Sequence, residues 1–181
     1  MYSISNCIVV FKINVEPLTR EQFLAIAQRG ANAEYNPRRF HAIIMRIRTT
    51  TGKTVAALVF QSARVVLTGV PHPNSATKMA ARVLRRIQHT QSITLGIHQL
   101  RVVNIVGVHT FPKRISVERL QNNLGGIYDP TIFPALRCKL SSGVTCLIYI
   151  SGKVIVTGAK TLDVIQHSFN DLSRILPNYY R

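Results

Sequence analysis

Acidic residues are scarce in this chain of 181 residues, which has seven Asp and Glu against 23 Lys and Arg and a net charge of +16. The seven acids are dispersed, so no carboxylate pair for acid–base catalysis is evident, and the chain lacks a phosphate-binding glycine loop and a nucleophile motif. We therefore expect that the protein is not an enzyme. The excess of positive charge predicts a polyanion as its partner.

Cysteine is also rare, since only Cys7, Cys138 and Cys146 are present. They form no Cys-x-x-Cys motif, and no histidine pair lies near them at zinc-ligand spacing. We expect reduced thiols in a reducing, nucleic-acid-containing compartment, with no metal and no other cofactor. No apolar run approaches the roughly 18 residues that cross a bilayer, and the first 15 residues do not resemble a signal peptide, so no membrane association is expected.

Hydrophobic residues make up 46% of the chain, which is enough to bury a substantial core. The positive charge is present in both halves of the sequence, at +10 before Ser92 and +6 after it. A globular domain with a separate basic tail would concentrate this charge in one segment. The charge therefore belongs to the folded surface.

The chain contains an internal repeat, with four sequence landmarks that recur in the same order. The distance between the two copies shrinks from 98 to 93 and then to 89 residues, as expected when loops differ in length. We therefore predict two copies of one unit, at residues 1–92 and 93–181. The matching landmarks are Asn6 with Asn104, Tyr35–Phe40 with Tyr128–Phe133, Leu58–Ser62 with Leu147–Ser151, and Thr68-Gly69 with Thr157-Gly158.

Each copy has the pattern strand, helix, several strands, helix. In the first copy we predict strands at 7–15, 40–48, 54–60 and 64–68, with Gly69 ending the sheet. The first helix is predicted at 18–29, with Leu24, Ala27 and Gln28 on its apolar side. The second is capped by Asn74 or Ser75 and runs to about 89, with an inward face of Ala76, Ala80, Val83 and Ile87.

The second copy has a short helix containing Leu120 and Leu124. Its last helix, at about 161–176, has Ile165, Phe169, Leu172 and Leu176 inward. A tandem copy of such a unit predicts an α+β protein with pseudo-twofold symmetry and one antiparallel sheet. Its helices cover one side of the sheet, so the other side is the candidate binding surface.

Several long segments resemble the core of the TATA-box-binding protein family, in register through both repeats. They are residues 33–40, 44–48, 57–60, 104–107 and 151–160. The resemblance implies a saddle, meaning a curved antiparallel sheet with helices on its convex face. It also implies a nuclear transcription initiation factor that binds and bends A·T-rich, double-stranded DNA through the minor groove and nucleates preinitiation complex assembly.

The resemblance assigns DNA-binding roles residue by residue. Asn6 and Asn104 correspond to the central asparagines that donate to the groove floor, and Phe40 with Phe60 and Phe133 with Tyr149 correspond to two aromatic wedge pairs. The apolar floor comprises Ile8, Leu58, Val66, Val106, Leu147 and Ile155, with Thr68 and Thr157 beside them. The cationic residues expected near phosphate are Arg39, Arg46, Arg48, Lys139 and Lys153.

These residue types suit the minor groove. An A·T pair shows only acceptors there, whereas G·C adds an amino donor, so an asparagine donor among close-packed apolar side chains favours A·T. Aromatic wedges unstack base steps and open the groove, and this protein family is itself an established example of such kinking. Flexible steps such as TA are expected where the wedges enter.

The sequence also departs from the family pattern. Tyr149 replaces a wedge phenylalanine, Thr131 and Ile132 replace residues that engage transcription factor IIB, and Val83 and Leu84 replace residues in the region used for factor IIA. Both contacts, and those with polymerase-associated factors, are expected to be altered. An alternative is therefore a family-like scaffold that binds TATA weakly and acts through protein partners. Lys78, Arg82, Arg85 and Arg86 form either a solvated helix face or a partner surface.

Overall fold

A computed structural model describes the whole chain, Met1–Arg181, as four α-helices and ten β-strands. The residues form two compact units. The first-repeat unit comprises Asn6–Val103, and the second-repeat unit comprises Met1–Ser5 with Asn104–Arg181. Strands β1 (Ser3–Ile13) and β6 (Ile97–Thr110) contribute residues to both.

The first-repeat unit has an antiparallel sheet in the order β2-β3-β4-β5-β1. Alternate strand positions are buried, as expected for a sheet with one covered face, and Val55, Ala57 and Val59 of β4 are fully buried. We call the alternating, partly exposed positions the open face. The strands besides β1 are β2 (Ala33–Glu34), β3 (Ala42–Arg48), β4 (Thr54–Phe60) and β5 (Arg64–Val70).

Helices α1 (Arg20–Arg29) and α2 (Ala76–Gln88) belong to the same unit. The inward face predicted for α2 is confirmed, since all four of its residues are buried. Ser75 occupies the N-cap position of α2 without a side-chain cap bond, after a 3₁₀ turn at Pro73–Ser75.

The apolar face predicted for α1 is wrong. Its buried residues are Phe23 and Ile26, whereas Leu24 is partly exposed and Gln28 is exposed. The helix begins after Thr19, whose capping box with Gln22 fixes the first turn. With this start, Phe23 and Ile26, which are three residues apart and lie on the same side of the helix, face the core.

Gly69 does not end the sheet, because β5 continues through it to Val70. Its φ of +83° is the left-handed conformation that glycine tolerates, and a Cβ there would lie 2.7 Å from the carbonyl oxygen of Thr54. The pairing register of β1 and β5 shifts between Cys7 and Val9 near this glycine. Gly69 therefore permits an irregularity inside the strand, as strand glycines often do.

Other boundaries differ from the predicted ones by a few residues. β1 spans Ser3–Ile13, and β3 begins at Ala42, so Phe40 precedes the strand that was predicted to contain it. Phe40 instead follows a turn in which its N–H donates to the carbonyl of Asn36. A turn is typical of the Asn-Pro pair at 36–37.

The second-repeat unit repeats this plan with the strand order β6-β10-β9-β8-β7. The inward residues predicted for its last helix are all buried. Helix α4 lies directly on β6 at Gly107, where a Cβ would meet Phe169 at 2.8 Å and Ile165 at 3.0 Å. The elements are α3 (Val117–Leu124), β7 (Ile127–Asp129), β8 (Phe133–Lys139), β9 (Thr145–Tyr149), β10 (Lys153–Ala159) and α4 (Leu162–Ile175).

The predicted α+β class is confirmed, with antiparallel strands in both repeats. The glycines near the two register shifts, Gly69 and Gly158, also correspond between the repeats. Gly158 has a φ of +98° where the pairing register of β10 and β6 shifts. None of the four helices is both long and apolar enough to cross a bilayer.

Candidate nucleic-acid interface

An asparagine side chain in each unit is held by the backbone N–H of one of these glycines. Gly69 donates to Oδ1 of Asn6 over 2.7 Å, and Gly158 donates to Oδ1 of Asn104 over the same distance. Because Oδ1 is the acceptor in both cases, the donor nitrogen Nδ2 is left for other partners. In the second repeat Nδ2 donates one of its two hydrogens to Oγ1 of Thr157 over 3.3 Å, which leaves the other hydrogen available. Each unit thus presents an oriented amide donor.

The open face of the first-repeat unit is an apolar surface. Leu58 is directly opposite Ile44 on β3 and Val66 on β5, and Val66 is opposite Val10 on β1. Directly opposed residues point to the same face of an antiparallel sheet, and these side chains are partly exposed. The predicted floor residues of this repeat all lie on this face, namely Ile8, Leu58, Val66 and Thr68.

The second-repeat unit presents the same arrangement. Ile155 is opposite Leu147 on β9 and Val108 on β6, and Thr157 is opposite Thr145. All are partly exposed, whereas the intervening Val154 and Val156 of β10 are fully buried. The predicted floor residues Val106, Leu147, Ile155 and Thr157 are therefore brought together on the open face of this unit.

A pair of aromatic rings lies at the end of β4 and another at the end of β9. The ring centroids of Phe40 and Phe60 are 6.0 Å apart with an angle of 71° between planes, and those of Phe133 and Tyr149 are 6.3 Å apart at 57°. Phe40 and Phe133 are each 42% exposed, an unusual state for phenylalanine. The structure thus assembles both pairs that the repeat predicts, in nearly the same geometry.

Exposed cationic side chains lie at the ends of strands that carry the open face. Arg46 and Arg48 lie on β3, while Lys139 is paired across the sheet with Thr145. Arg46 forms a 3.0 Å ion pair with Glu34, an exposed contact. Exposed pairs of this kind contribute only about 0–1 kcal/mol, so Arg46 can exchange this partner at low cost.

The remaining two residues that are predicted to contact phosphate, Arg39 and Lys153, lie beside the aromatic pairs. Arg39 is exposed in the turn that precedes Phe40. Lys153 has its ammonium group 5.9 Å from the centroid of the Tyr149 ring, which is a cation–π distance. The structure therefore leaves both cations accessible from solvent.

Sequence reasoning missed several residues of the open face. Two of them, Val10 and Val108, each lie two positions after a predicted floor residue on the same strand. The other two, Ile44 and Arg137, each lie directly opposite a predicted floor residue on the neighbouring strand. The period of two along a strand could have identified all four. A cavity of about 360 Å³ also lies beside the second aromatic pair, and its lining includes Phe133, Arg137 and Leu147.

Two α+β units with apolar open faces, oriented amide donors, paired aromatic rings and exposed cations define a tandem-repeat sheet protein of the nucleic-acid-binding type. A family model described as "Transcription factor TFIID (or TATA-binding protein, TBP)" matches residues 1–90 and 99–179. The chain belongs to this family. The predicted membership is therefore confirmed.

Individual proteins show the same similarity. The chain is 38% identical over 165 residues to the TATA-box-binding protein of Dictyostelium discoideum, covering 90% of this chain and 78% of that protein. It is 36% identical over 157 residues to that of Acanthamoeba castellanii, covering 85% of this chain and 59% of that protein. The solved structure of Methanococcus jannaschii TBP shares the fold, with a TM-score of 0.74, 24% identity, and coverage of 94% and 95%.

Proposed function

We propose that this protein binds and bends A·T-rich, TATA-type promoter DNA through the minor groove and thereby nucleates transcription preinitiation complexes in the nucleus. The observation that carries the proposal is the orientation of the two asparagine amides. Asn6 and Asn104 each give their oxygen to a glycine N–H, so each offers a donor at the open face. The floor of an A·T minor groove offers only acceptors.

The surroundings of these amides add discrimination against G·C. The apolar floor, typified by Leu58 and Leu147, offers no acceptor for the amino group that guanine places in the minor groove. A buried donor without a partner costs about 1–3 kcal/mol. Each G·C pair facing the floor should therefore lower the affinity, and specificity follows from this penalty.

The exposed aromatic pairs supply a means of bending. Unstacking a base step costs about a few kcal/mol, and the bend that results lets the DNA cover more of the protein surface. Phe40 and Phe133 already stand exposed in the free protein. Inserting them into DNA removes apolar surface from water and offsets part of the unstacking cost.

A bend-sensitive titration on a TATA-type duplex, repeated over a range of salt concentrations, tests the proposal. The control is a duplex of equal length whose central A·T pairs are replaced by G·C. Five predicted phosphate contacts correspond to a slope of log affinity against log salt of about −4.5. We expect strong bending of the A·T duplex alone. Equal, unbent binding of both duplexes that disappears with salt would instead support the scaffold function.

Partner contacts are proposed to differ from those of other family members. Ile132 is 82% exposed, and its neighbour Thr131 donates its hydroxyl and N–H to the carboxylate of Asp129. These hydrogen bonds lower the pKa of Asp129, because they favour its charged carboxylate, and the turn is negatively charged at neutral pH. We propose altered contacts with factor IIB here, and with factor IIA near Val83 and Leu84. The titration repeated with each factor tests both.

The Tyr149→Phe variant is expected to bind the TATA duplex about tenfold more tightly and to bend it more. The hydroxyl of Tyr149 must lose water when the ring enters a base step, and an unsatisfied hydroxyl costs about 1–3 kcal/mol. The matched variant is Phe60→Tyr, which adds a hydroxyl to the first pair and should weaken binding. Titrations of both variants measure this effect, and tighter binding by Phe60→Tyr would contradict it.

A further inference from the structure

Two arginines of helix α2 donate hydrogen bonds to the backbone of strand β3. Nη2 of Arg82 lies 3.0 Å from the carbonyl oxygen of Arg48, and Nη1 of Arg86 lies 3.0 Å from that of Arg46. Nη1 of Arg86 also lies 3.5 Å from the carbonyl oxygen of Ala31, in the segment before β2. Four residues of a helix rise about 6 Å and two residues of a strand rise about 6.6 Å, so the two spacings match.

The carbonyl groups that accept these bonds lie at an edge of the sheet where strand pairing ends. β2 has only two residues and pairs with Ile44 and Met45 of β3. The N–H of Arg46 donates to the carbonyl of Asn32 over 3.2 Å, so the polar backbone groups of Arg46 point away from β4. Those of Arg48 point the same way, because the direction alternates along a strand, but β2 does not extend that far. The arginines of α2 therefore supply donors that a neighbouring strand would otherwise supply.

The structure divides the four cationic residues predicted on α2 into two pairs. Arg82 and Arg86 are partly buried and bound to the strand, whereas Lys78 and Arg85 are exposed. The three ion pairs of the protein involve neither Arg82 nor Arg86. Their guanidinium groups are instead committed to neutral carbonyls, in hydrogen bonds that a charged donor strengthens. Arg82 and Arg86 thus form neither a solvated helix face nor a free partner surface.

The second repeat lacks this pair of arginines. All five buried residues of α2 have a buried counterpart 89 positions later, so the counterparts of Arg82 and Arg86 are Asp171 and Ile175. An ionised aspartate and an isoleucine have no side-chain donor for a carbonyl. Both line a cavity of about 430 Å³ that also borders Lys139, the last residue of β8. The arginine contacts to a strand end are therefore a feature of the first repeat.

We propose that Arg82 and Arg86 are positioning residues, which hold the unpaired end of β3 so that the side chains of Arg46 and Arg48 stay directed at DNA phosphate. The inference rests on the proposed function, in which those two side chains contact phosphate. Side chains alternate along a strand, so both remain on the open face only while the chain stays extended through Arg48. Without the two donors, the end of β3 would fray towards the turn at 49–53 and carry both cations with it.

Backbone amide exchange in the free, full-length protein tests the hold on β3. Arg86→Met removes the guanidinium group and keeps an apolar stem. We expect the amide of Arg46 to exchange about tenfold faster, as the loss of a hydrogen bond with a charged donor implies. The matched control is Arg85→Met, which removes the same charge from the exposed side of α2. The amide of Leu140, in the corresponding turn of the second repeat, is the internal reference.

The double variant Arg82→Met with Arg86→Met tests the consequence for DNA. Arg46 and Arg48 are two of the five predicted phosphate contacts, so we expect the slope of log affinity against log salt to change from about −4.5 towards about −2.7. With Arg46→Met and Arg48→Met already in place, the double variant should cause no further change, because the arginines of α2 act through those side chains. The slope is measured on the A·T duplex and on its G·C control, which carry the same phosphates.

Circular dichroism and a thermal melt establish that each variant is folded. Arg86→Lys, which keeps the charge but loses the two-branched donor, replaces a variant that does not fold and should show both effects to a smaller extent. Failure of the proposed function appears separately, as equal and unbent binding of both duplexes by the unchanged protein. Unchanged exchange at Arg46, an equal acceleration by Arg85→Met, or an unchanged salt slope in the double variant would each overturn the positioning role.

Discussion

Phe40→Ala and Phe60→Ala are each expected to abolish the bending of a TATA-type duplex at the first-repeat end, and to lower its affinity by about 100-fold. The two rings lie 6.0 Å apart beside the open face, so they can act together at one base step. Removing either ring leaves the other without its edge-to-face partner, and a loss of about 100-fold corresponds to about 2.7 kcal/mol. Energy transfer between dyes on the two duplex ends measures the bend.

The fold should survive these substitutions, because Phe40 is 42% exposed and Phe60 is partly exposed. The control is Phe11→Ala, which removes a fully buried ring from β1 and should cost about 3–5 kcal/mol of the free energy of unfolding. Urea unfolding distinguishes the two wedge variants from this destabilised control. If both Phe40→Ala and Phe60→Ala bent the duplex as much as the unchanged protein does, the wedge role would be refuted.

Asn104→Asp is expected to lower the affinity for the same duplex by at least about 100-fold without destabilising the protein. An aspartate keeps the oxygen that accepts the N–H of Gly158, and this hydrogen bond becomes charge-assisted. The variant loses the Nδ2 donor and places a carboxylate against groove-floor acceptors. Both changes oppose binding, and an unpaired buried charge costs more than a lost neutral hydrogen bond.

Asn6→Asp makes the same change in the first repeat and should have a comparable effect. The matched control is Asn170→Asp on the exposed side of α4, where Oδ1 accepts a hydrogen bond from Gln166 that an aspartate can keep. Both variants change the net charge by one unit, so their difference isolates the amide donor. A loss of affinity by Asn170→Asp as large as that of Asn104→Asp would mean that net charge alone is responsible.

Much of the fold follows from local patterns. The period of two predicted β4 at its observed boundaries, and the period of 3.6 predicted the buried faces of α2 and α4. The prediction for α1 was wrong because its apolar residues form one consecutive run, Phe23 to Ala27, which spreads around the helix and defines no single face. Which of them entered the core was decided by the cap at Thr19 and by packing.

The positions of the two sequence repeats also predicted which residues correspond, and the structure gives the corresponding residues similar surroundings. Asn6 and Asn104 each accept a glycine N–H, and both aromatic pairs have centroids about 6 Å apart. That these residues contact DNA stays a prediction for the experiments above. The boundary after Ser92 likewise stays a prediction.

The sequence by itself determined the positive charge, the repeat, the α+β class and the family, because these depend on composition and on the order of residues along the chain. Only the tertiary structure decided which way the asparagine amides point, since that depends on glycines more than 50 residues away. It also placed Cys138 opposite Cys146 on paired strands. Strand register fixes such contacts, and register is set by the turns and the buried face together.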